Sequence, residues 1–301
     1  MKKWIKAARL RTLPLSISGI FVGSACAYQS YHNQWNYWLI FGLCFLTTLF
    51  FQVLSNYAND YGDAVKGTDN ENRVGPKRAI QSGEITKSQM KTAIIITSVL
   101  SLLSSVGVIY ASFGSENFIQ ATIYLILAIA CVGAAIKYTV GNSAYGYRGL
   151  GDVFVFIFFG LVSTLGSYYL YGHSFDFTVL LPGIAIGLLS MAVLNMNNMR
   201  DIENDAAMGK NTIVVKLGFN KARMYHFYLI VLAVIALNSF ALEKGFKWYQ
   251  FAFVFGFIPL LKNLKVVNTV TNPRSLDPEL KRLSLTTFLI SLLLSIALIL
   301  M

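Results

Sequence analysis

The chain has 301 residues, 55% of them hydrophobic and only 13% charged, with a mean hydropathy of +0.56. A soluble domain carries about a quarter charged residues, so a water-soluble globular enzyme is excluded. The net charge of +11 would suit a nucleic-acid binder, but the basic residues alternate with long apolar runs, and no nucleic-acid partner is expected.

Nine runs are long enough to cross a bilayer, which takes about 20 residues: 13–30, 36–55, 91–113, 118–137, 153–171, 178–196, 225–242, 248–266 and 284–301. The expected fold class is all-α, a polytopic membrane protein of nine transmembrane helices forming a single domain over 1–301. The basic opening "MKKWIKAARLR" resembles the start of a cleaved signal peptide. Eight further spans follow it, and the first run is expected to stay as the first helix. Cys26, Cys44 and Cys131 lie inside apolar runs without paired spacing and read as packing residues, with no disulfide or metal framework. The three histidines are scattered, and no Ser-His-Asp or Cys-His arrangement is present.

Charge placement sets the orientation. The N-terminus (Lys2 to Arg11) and alternate loops hold all the Lys and Arg except Lys244 and Lys247. The positive-inside rule puts that basic side in the cytoplasm, with the N-terminus inside and the C-terminus outside. A bacterial cytoplasmic (inner) membrane is the expected location.

The first polar cluster in chain order is "NDYGDAVKGTD" (59–69), directly behind the second run. Asn56, Asp60 and Asp63 are spaced i, i+4, i+7 and form one stripe if that helix continues; Asn59 and Asp63 are also four apart. Connections on the external side are short, such as "QSYHNQW", but the cytoplasmic stretches 56–90 and 197–224 are long. Long connections in compact proteins tend to be functional or disordered, and these two are expected to cap the active site. The first ends in "TKSQ", where Thr86 and Gln89 have capping-box spacing for the third helix.

The next cytoplasmic segment, "KYTVGNSAYGYRGLGD" (137–152), holds Tyr145, Arg148 and Asp152, with Gly149 and Gly151 permitting a tight turn. A carboxylate entering an apolar helix usually has a partner or a task. Arg148, four residues earlier, is the expected partner of Asp152, as a structural ion pair or as part of a substrate contact. In "NMNNMRDIENDAAMGK" (195–210), Asn197, Asp201 and Asp205 are spaced i, i+4, i+8, again one stripe.

One aspartate at a helix end reads as a cap. Two stripes of acids and amides on one face of a membrane read differently, because clustered carboxylates repel unless a cation sits between them. Oxygen ligands without Cys or His suit a hard divalent ion, and Mg²⁺ prefers a few carboxylates plus substrate phosphate oxygens. The candidate metal ligands are Asn59, Asp60, Asp63, Asp69, Asn197, Asp201 and Asp205. Lys66, Arg73, Lys77, Arg78 and Lys210 are placed to take up diphosphate charge.

At these three segments the sequence resembles the UbiA superfamily of intramembrane prenyltransferases, over essentially the whole chain. Members carry an Asn/Asp-rich motif after the second of nine helices and a D-x-x-x-D motif after the sixth, matched here by Asp201 and Asp205. The first motif follows the form N-x-x-x-D-x-x-x-G-x-D through Asn59, Asp63, Gly67 and Asp69. With "RVGPKRAIQSG" and "GYRGLGD", it looks like the menaquinone branch, where Asp152 replaces a frequent Glu. The resemblance implies Mg²⁺-dependent transfer of a polyprenyl group from its diphosphate to 1,4-dihydroxy-2-naphthoate, with loss of CO₂. It also implies Mg²⁺ held by Asp60, Asp63, Asp201 and Asp205. Asp152, Arg148 and Tyr145 are the candidates for work on the acceptor. Oligomeric state is not readable.

Two competing readings remain. The first keeps the metal site and changes the acceptor to 4-hydroxybenzoate or homogentisate; Gly67, where the 4-hydroxybenzoate pattern has an acid, argues against the former. The second is a cation-coupled transporter, but such proteins place ion ligands near the bilayer midplane on broken helices, whereas these lie at helix ends. The D-x-x-D-G-x-x-A-R run of CDP-alcohol phosphotransferases is absent.

Overall fold

A computed structural model describes residues 2–9, 12–71 and 73–301; Met1, Leu10, Arg11 and Asn72 lie outside the described residues. Arg11, counted above with the basic N-terminus, is among those left out. All regular structure among the described residues is helical. A short α1 (Lys2–Ala8) precedes α2 (Leu13–Tyr31), which starts on Pro14 in its first turn, where a missing N–H costs nothing. The following long helices are α3 (Tyr37–Lys66), α4 (Lys87–Phe113), α5 (Phe118–Lys137), α6 (Gly151–Gly172) and α7 (Phe177–Arg200). Two short helices, α8 (Ile202–Ala207) and α9 (Ile213–Leu217), lead into α10 (Phe219–Glu243), α11 (Trp248–Thr269) and α12 (Pro273–Ile299).

Eight of these helices are long and apolar enough to cross a membrane, and α1 with α2, counted as one bent pair, make a ninth. The expected nine-span all-α architecture is therefore present. The core face of the first span is built from small residues: Ser16, Ser18, Gly19, Gly23 and Ser24 are all buried.

Small residues set the spacing of the central helices. A Cβ on Gly160 of α6 would lie 2.6 Å from Gly187 Cα of α7, and one on Gly23 of α2 would lie 2.2 Å from the Thr164 carbonyl of α6. On one side α3, α4 and α5 pack together; on the other α7, α10, α11 and α12 do, with α2 and α6 between. The outer faces of α4 and α5 expose Ile95, Ile96, Leu103, Ile119, Ile123 and Ile126, as a lipid-facing surface requires. The capping box at α4 forms as the spacing predicted: Thr86 Oγ1 accepts from the Gln89 N–H at 3.2 Å, and Gln89 Oε1 accepts from the Thr86 N–H at 3.1 Å.

The connections differ from expectation in extent. The helix α3 continues eleven residues past the apolar run, to Lys66, and stops where Gly67 turns left-handed at φ 76°. Asn59, Asp60 and Asp63 therefore stand on a helix, and the loop proper is 67–86. The second long stretch is divided by α8 and α9.

Candidate active site

The last turn of α3 carries Asp63, which faces the loop between α5 and α6. Gly62 lets that loop come close: a Cβ there would lie 2.4 Å from Thr139 Oγ1, which donates to the Ala58 carbonyl at 3.0 Å. The same loop delivers Tyr147, whose hydroxyl donates to Asp63 Oδ1 at 2.8 Å and bonds the Thr68 hydroxyl at 2.5 Å. Burial and the facing Asp63 both raise the Tyr147 pKa, so the phenol stays a donor.

The second motif keeps its four-residue spacing across a break in the helix. The Asp201 N–H donates to the Asn197 carbonyl at 3.2 Å, and the Asp205 N–H donates to the Asp201 carbonyl at 2.8 Å. Asn204 Nδ2 then donates to the Thr68 carbonyl at 3.1 Å, joining α8 to the end of α3. That bond brings the two motifs face to face.

Between them lies a small polar chamber of about 30 Å³, walled by Asp63, Thr68, Asn197, Asp201, Asn204 and Asp205, with Arg73, Arg78 and Lys210 completing the lining. A much larger cavity, about 480 Å³, shares Asp63, Asn197, Arg73, Arg78 and Lys210 with it. Beyond that shared rim its walls are chiefly apolar, including Leu15, Phe51, Leu127, Phe158 and Val162. A charged pocket thus sits at the end of a long greasy one.

Three of the carboxylates have a cation beside them. Lys210 Nζ is 3.3 Å from Asp205 Oδ1, Arg73 Nε is 3.1 Å from Asp69, and Arg200 pairs with Asp201. Burial pushes the Asp205 carboxyl up to about 6, with Lys210 opposing; burial and then Asp63 do the same to Asp69. The Lys210 charge is disfavoured by burial, yet Asp205 and Asp63 more than compensate and raise its pKa. Burial, Arg9 and Arg73 lower the Arg78 pKa to about 9, the mark of crowded cations that an anion would relieve.

Several expectations need correction. Asp60 is not at either cavity: it is 1% exposed and pairs with Arg9 and Arg78. On a helix it points about 100° away from Asn59. Lys77 is exposed and lines neither cavity, and Lys66 sits 3.7 Å over the Tyr147 ring. Asp69 is buried with Arg73 and Arg78 beside the chamber but does not line it. Arg148 is exposed and does not pair with Asp152, whose partner is the Tyr225 hydroxyl of α10 at 3.0 Å. Neither Asp152 nor Arg148 lines the cavity. Tyr145 does, stacked on Phe154 at 3.8 Å, with its hydroxyl spent on the Ala134 carbonyl. The structure adds Arg200, Arg9, Tyr147 and Asn204, of which Arg200 had a sequence signal in its place between Asn197 and Asp201.

The residues present suit Mg²⁺. The donors are all oxygen, and Asp205 Oδ2 is buried without a hydrogen-bond partner among the described residues. No three acidic, His or Cys side chains converge among those residues to make a protein cage. An ion held by one or two carboxylates plus phosphate oxygens needs none.

The family model for the UbiA prenyltransferase family matches residues 17–278. The chain belongs to the UbiA prenyltransferase family. Within this family it is 43% identical to a 1,4-dihydroxy-2-naphthoate octaprenyltransferase of Haemophilus influenzae, over 99% of this chain and 96% of that one. It is 42% identical to the enzyme of that name from Escherichia coli, over 93% of this chain and 89% of the other. A solved UbiA homologue from Archaeoglobus fulgidus, bound to DMAPP and Mg²⁺, shares the fold with a TM-score of 0.63 at 16% identity, covering 99% of each chain. Membership removes the transporter reading and accounts for a polar chamber beside an apolar cavity.

Proposed function

We propose that this membrane enzyme transfers a polyprenyl group from polyprenyl diphosphate to 1,4-dihydroxy-2-naphthoate in menaquinone synthesis. The observation that carries the reading is the meeting of two acid-and-amide motifs at the rim of a long apolar cavity. The acceptor is inferred from the full-length likeness to the Haemophilus and Escherichia enzymes. The Archaeoglobus homologue, bound to DMAPP and Mg²⁺, supports the same metal here.

In this reading Asp63, Asn197, Asp201 and Asp205 hold Mg²⁺. The bound ion would neutralise charge on the diphosphate oxygens. Arg73, Arg78 and Lys210 take up the remaining charge as the allylic C–O bond breaks and its electron pair leaves with the diphosphate. The apolar walls hold the tail and keep water from the allylic carbon. The electron-rich ring forms the new C–C bond, and its carboxyl leaves as CO₂. The N-terminus and the basic loops face the cytoplasm of a bacterial inner membrane, and the polyprenyl donor is drawn from the bilayer.

Membranes containing the protein, given Mg²⁺ and octaprenyl diphosphate, are expected to prenylate 1,4-dihydroxy-2-naphthoate in preference to 4-hydroxybenzoate or homogentisate. Product from either of those acids, with none from the naphthoate, would overturn the acceptor and leave the metal site standing.

A further inference from the structure

Among the described residues, three cations line the larger cavity outside the polar chamber: Arg9, Arg200 and Lys281. Arg200 is spent on Asp201, Asp277 and Asn197, and Lys281 is exposed on α12. Arg9 differs from both. Its side chain is 13% exposed, and Asp60 pairs with one of its terminal nitrogens. Asp60 also pairs with Arg78 and lines neither cavity, so it holds Arg9 from behind the wall. Arg9 Nε is buried with no hydrogen-bond partner among the described residues.

The residues around Arg9 fix its backbone against α3. Asn56 Nδ2 donates to the Ala8 carbonyl at 2.8 Å, and Trp4 of α1 meets the Tyr57 ring edge-on at 5.6 Å. Gln52 Nε2 donates to Thr12 Oγ1 at 2.9 Å, and that hydroxyl donates to the Arg9 carbonyl at 2.9 Å. The Arg9 backbone is left-handed, at φ 48°, a conformation that a residue with a side chain keeps only where its surroundings enforce it. Gln52 and Asn56 themselves line the cavity, as do Phe51 beside them on α3 and Leu15 at the start of α2. A firmly held guanidinium therefore opens onto a largely apolar space, apart from the cations of the chamber.

We propose that Arg9 binds the carboxylate of the aromatic acceptor and so selects a naphthoate over an uncharged naphthol. The proposal rests on the function given above, in which the acceptor is an aromatic acid. Arg9, Arg73 and Arg78 carry three positive charges against the two negative ones of Asp60 and Asp69, an excess that one more anion would relieve. Arg73 and Arg78 line both cavities, whereas Arg9 lines only the larger one. A guanidinium presents a planar fork of donors that matches a carboxylate. Its anchor Asp60 stands three residues before Asp63, ~4.5 Å of helix, so an acid held at Arg9 keeps its ring close to the rim of the chamber. The carboxyl leaves in the proposed reaction, so the contact favours the acceptor over the product.

The test reads binding rather than turnover. Purified protein with Mg²⁺ and a non-hydrolysable octaprenyl thiolodiphosphate is titrated with 1-hydroxy-2-naphthoate and with 1-naphthol, which lacks only the carboxylate. The readout is ligand-dependent thermal stabilisation. The parent protein is expected to prefer the acid by about tenfold or more, the scale of a hydrogen bond to a charged group. Arg9→Gln, or Arg9→Met if the former does not fold, should bind the two naphthalenes alike. Arg9→Lys, a point charge without the fork, should restore part of the preference. Stabilisation by the thiolodiphosphate itself should be equal in all these proteins, which separates a site for the acid from one for the diphosphate. A parent-like preference in the neutral variants, or a loss of thiolodiphosphate binding in them, overturns the assignment. Equal binding of both naphthalenes to the parent overturns it and leaves the proposed function standing. A parent stabilised by the thiolodiphosphate but by neither naphthalene removes the aromatic acceptor, and with it the function proposed above.

Discussion

Asp63 owes its position to Tyr147 as much as to α3. The phenol donates to one carboxylate oxygen while Thr68 and Lys66 hold the phenol, so the acid is oriented before any ligand arrives. Groups that orient a metal-binding side chain are ordinarily worth 10–100-fold in affinity or activity, by rough estimate. Tyr147→Phe is therefore expected to lower turnover at limiting Mg²⁺ by about that factor, with much of the loss recovered at high Mg²⁺. An unchanged rate would show that the bond is incidental. Asp205 gives a pH dependence. Burial raises its carboxyl from 3.8 to about 6, so its contribution to stability is full below the unfolded value and is lost as pH rises through about 6. Ligation needs the opposite form, since a carboxylate must be deprotonated to bind metal. Activity at limiting Mg²⁺ should climb through pH of about 6, with the midpoint moving lower as Mg²⁺ is raised. A rate flat across that range would contradict this role. At this scale the sequence marked Asp63, Asp201, Asp205, Arg73, Arg78 and Lys210 by type and spacing. It could not mark Tyr147, because interfacial tyrosines are common and only the fold turns this one onto Asp63. The pairing of Asp152 with Tyr225 was equally invisible, joining residues 73 positions apart.

The elements show which kind of signal survives in a sequence. Apolar runs and the Thr86–Gln89 cap were legible because hydropathy and capping are local. The end of α3 was not: beyond residue 55 the run turns polar and reads as a loop, although the helix continues until Gly67. Helix formation there depends on Asn56 bonding to the Ala8 carbonyl at 2.8 Å and on α1 packing against it, both tertiary effects. The close approach of α6 and α7 has the same character. Gly160→Val is expected to destabilise the protein by about 1–3 kcal/mol, as overpacking does, because the new side chain meets Gly187 Cα and the Gly183 carbonyl rather than a flexible neighbour. Thermal melts in detergent should fall accordingly, while Gly133→Val, with nothing within 4 Å of its Cβ, serves as the control. Equal melting temperatures for the two variants would remove the packing argument.

At the scale of the whole molecule, eight helices become nine spans when α1 and α2 count as one bent pair, and nine would place the termini on opposite sides of the membrane. In the proposed orientation the basic loops, and the proposed metal site with them, face the cytoplasm. A C-terminal alkaline phosphatase fusion should be active and a C-terminal green fluorescent protein fusion dark; the reverse pattern would invert the orientation. In the proposed reading charged chemistry occurs at one water-facing end, and the tail lies in the adjoining apolar cavity. The central claim is that two helix ends together hold a metal diphosphate against this cavity for transfer to a naphthoate. The most direct measurement supplies membranes with Mg²⁺, octaprenyl diphosphate and carboxyl-labelled 1,4-dihydroxy-2-naphthoate, and follows labelled CO₂ with prenylated hydroquinone. The account predicts release that needs Mg²⁺ and falls by about 10²-fold or more, the cost of removing a group that stabilises developing charge, in both Asp63→Ala and Asp201→Ala. Release that persists in either variant, or no release from the parent protein, would contradict it.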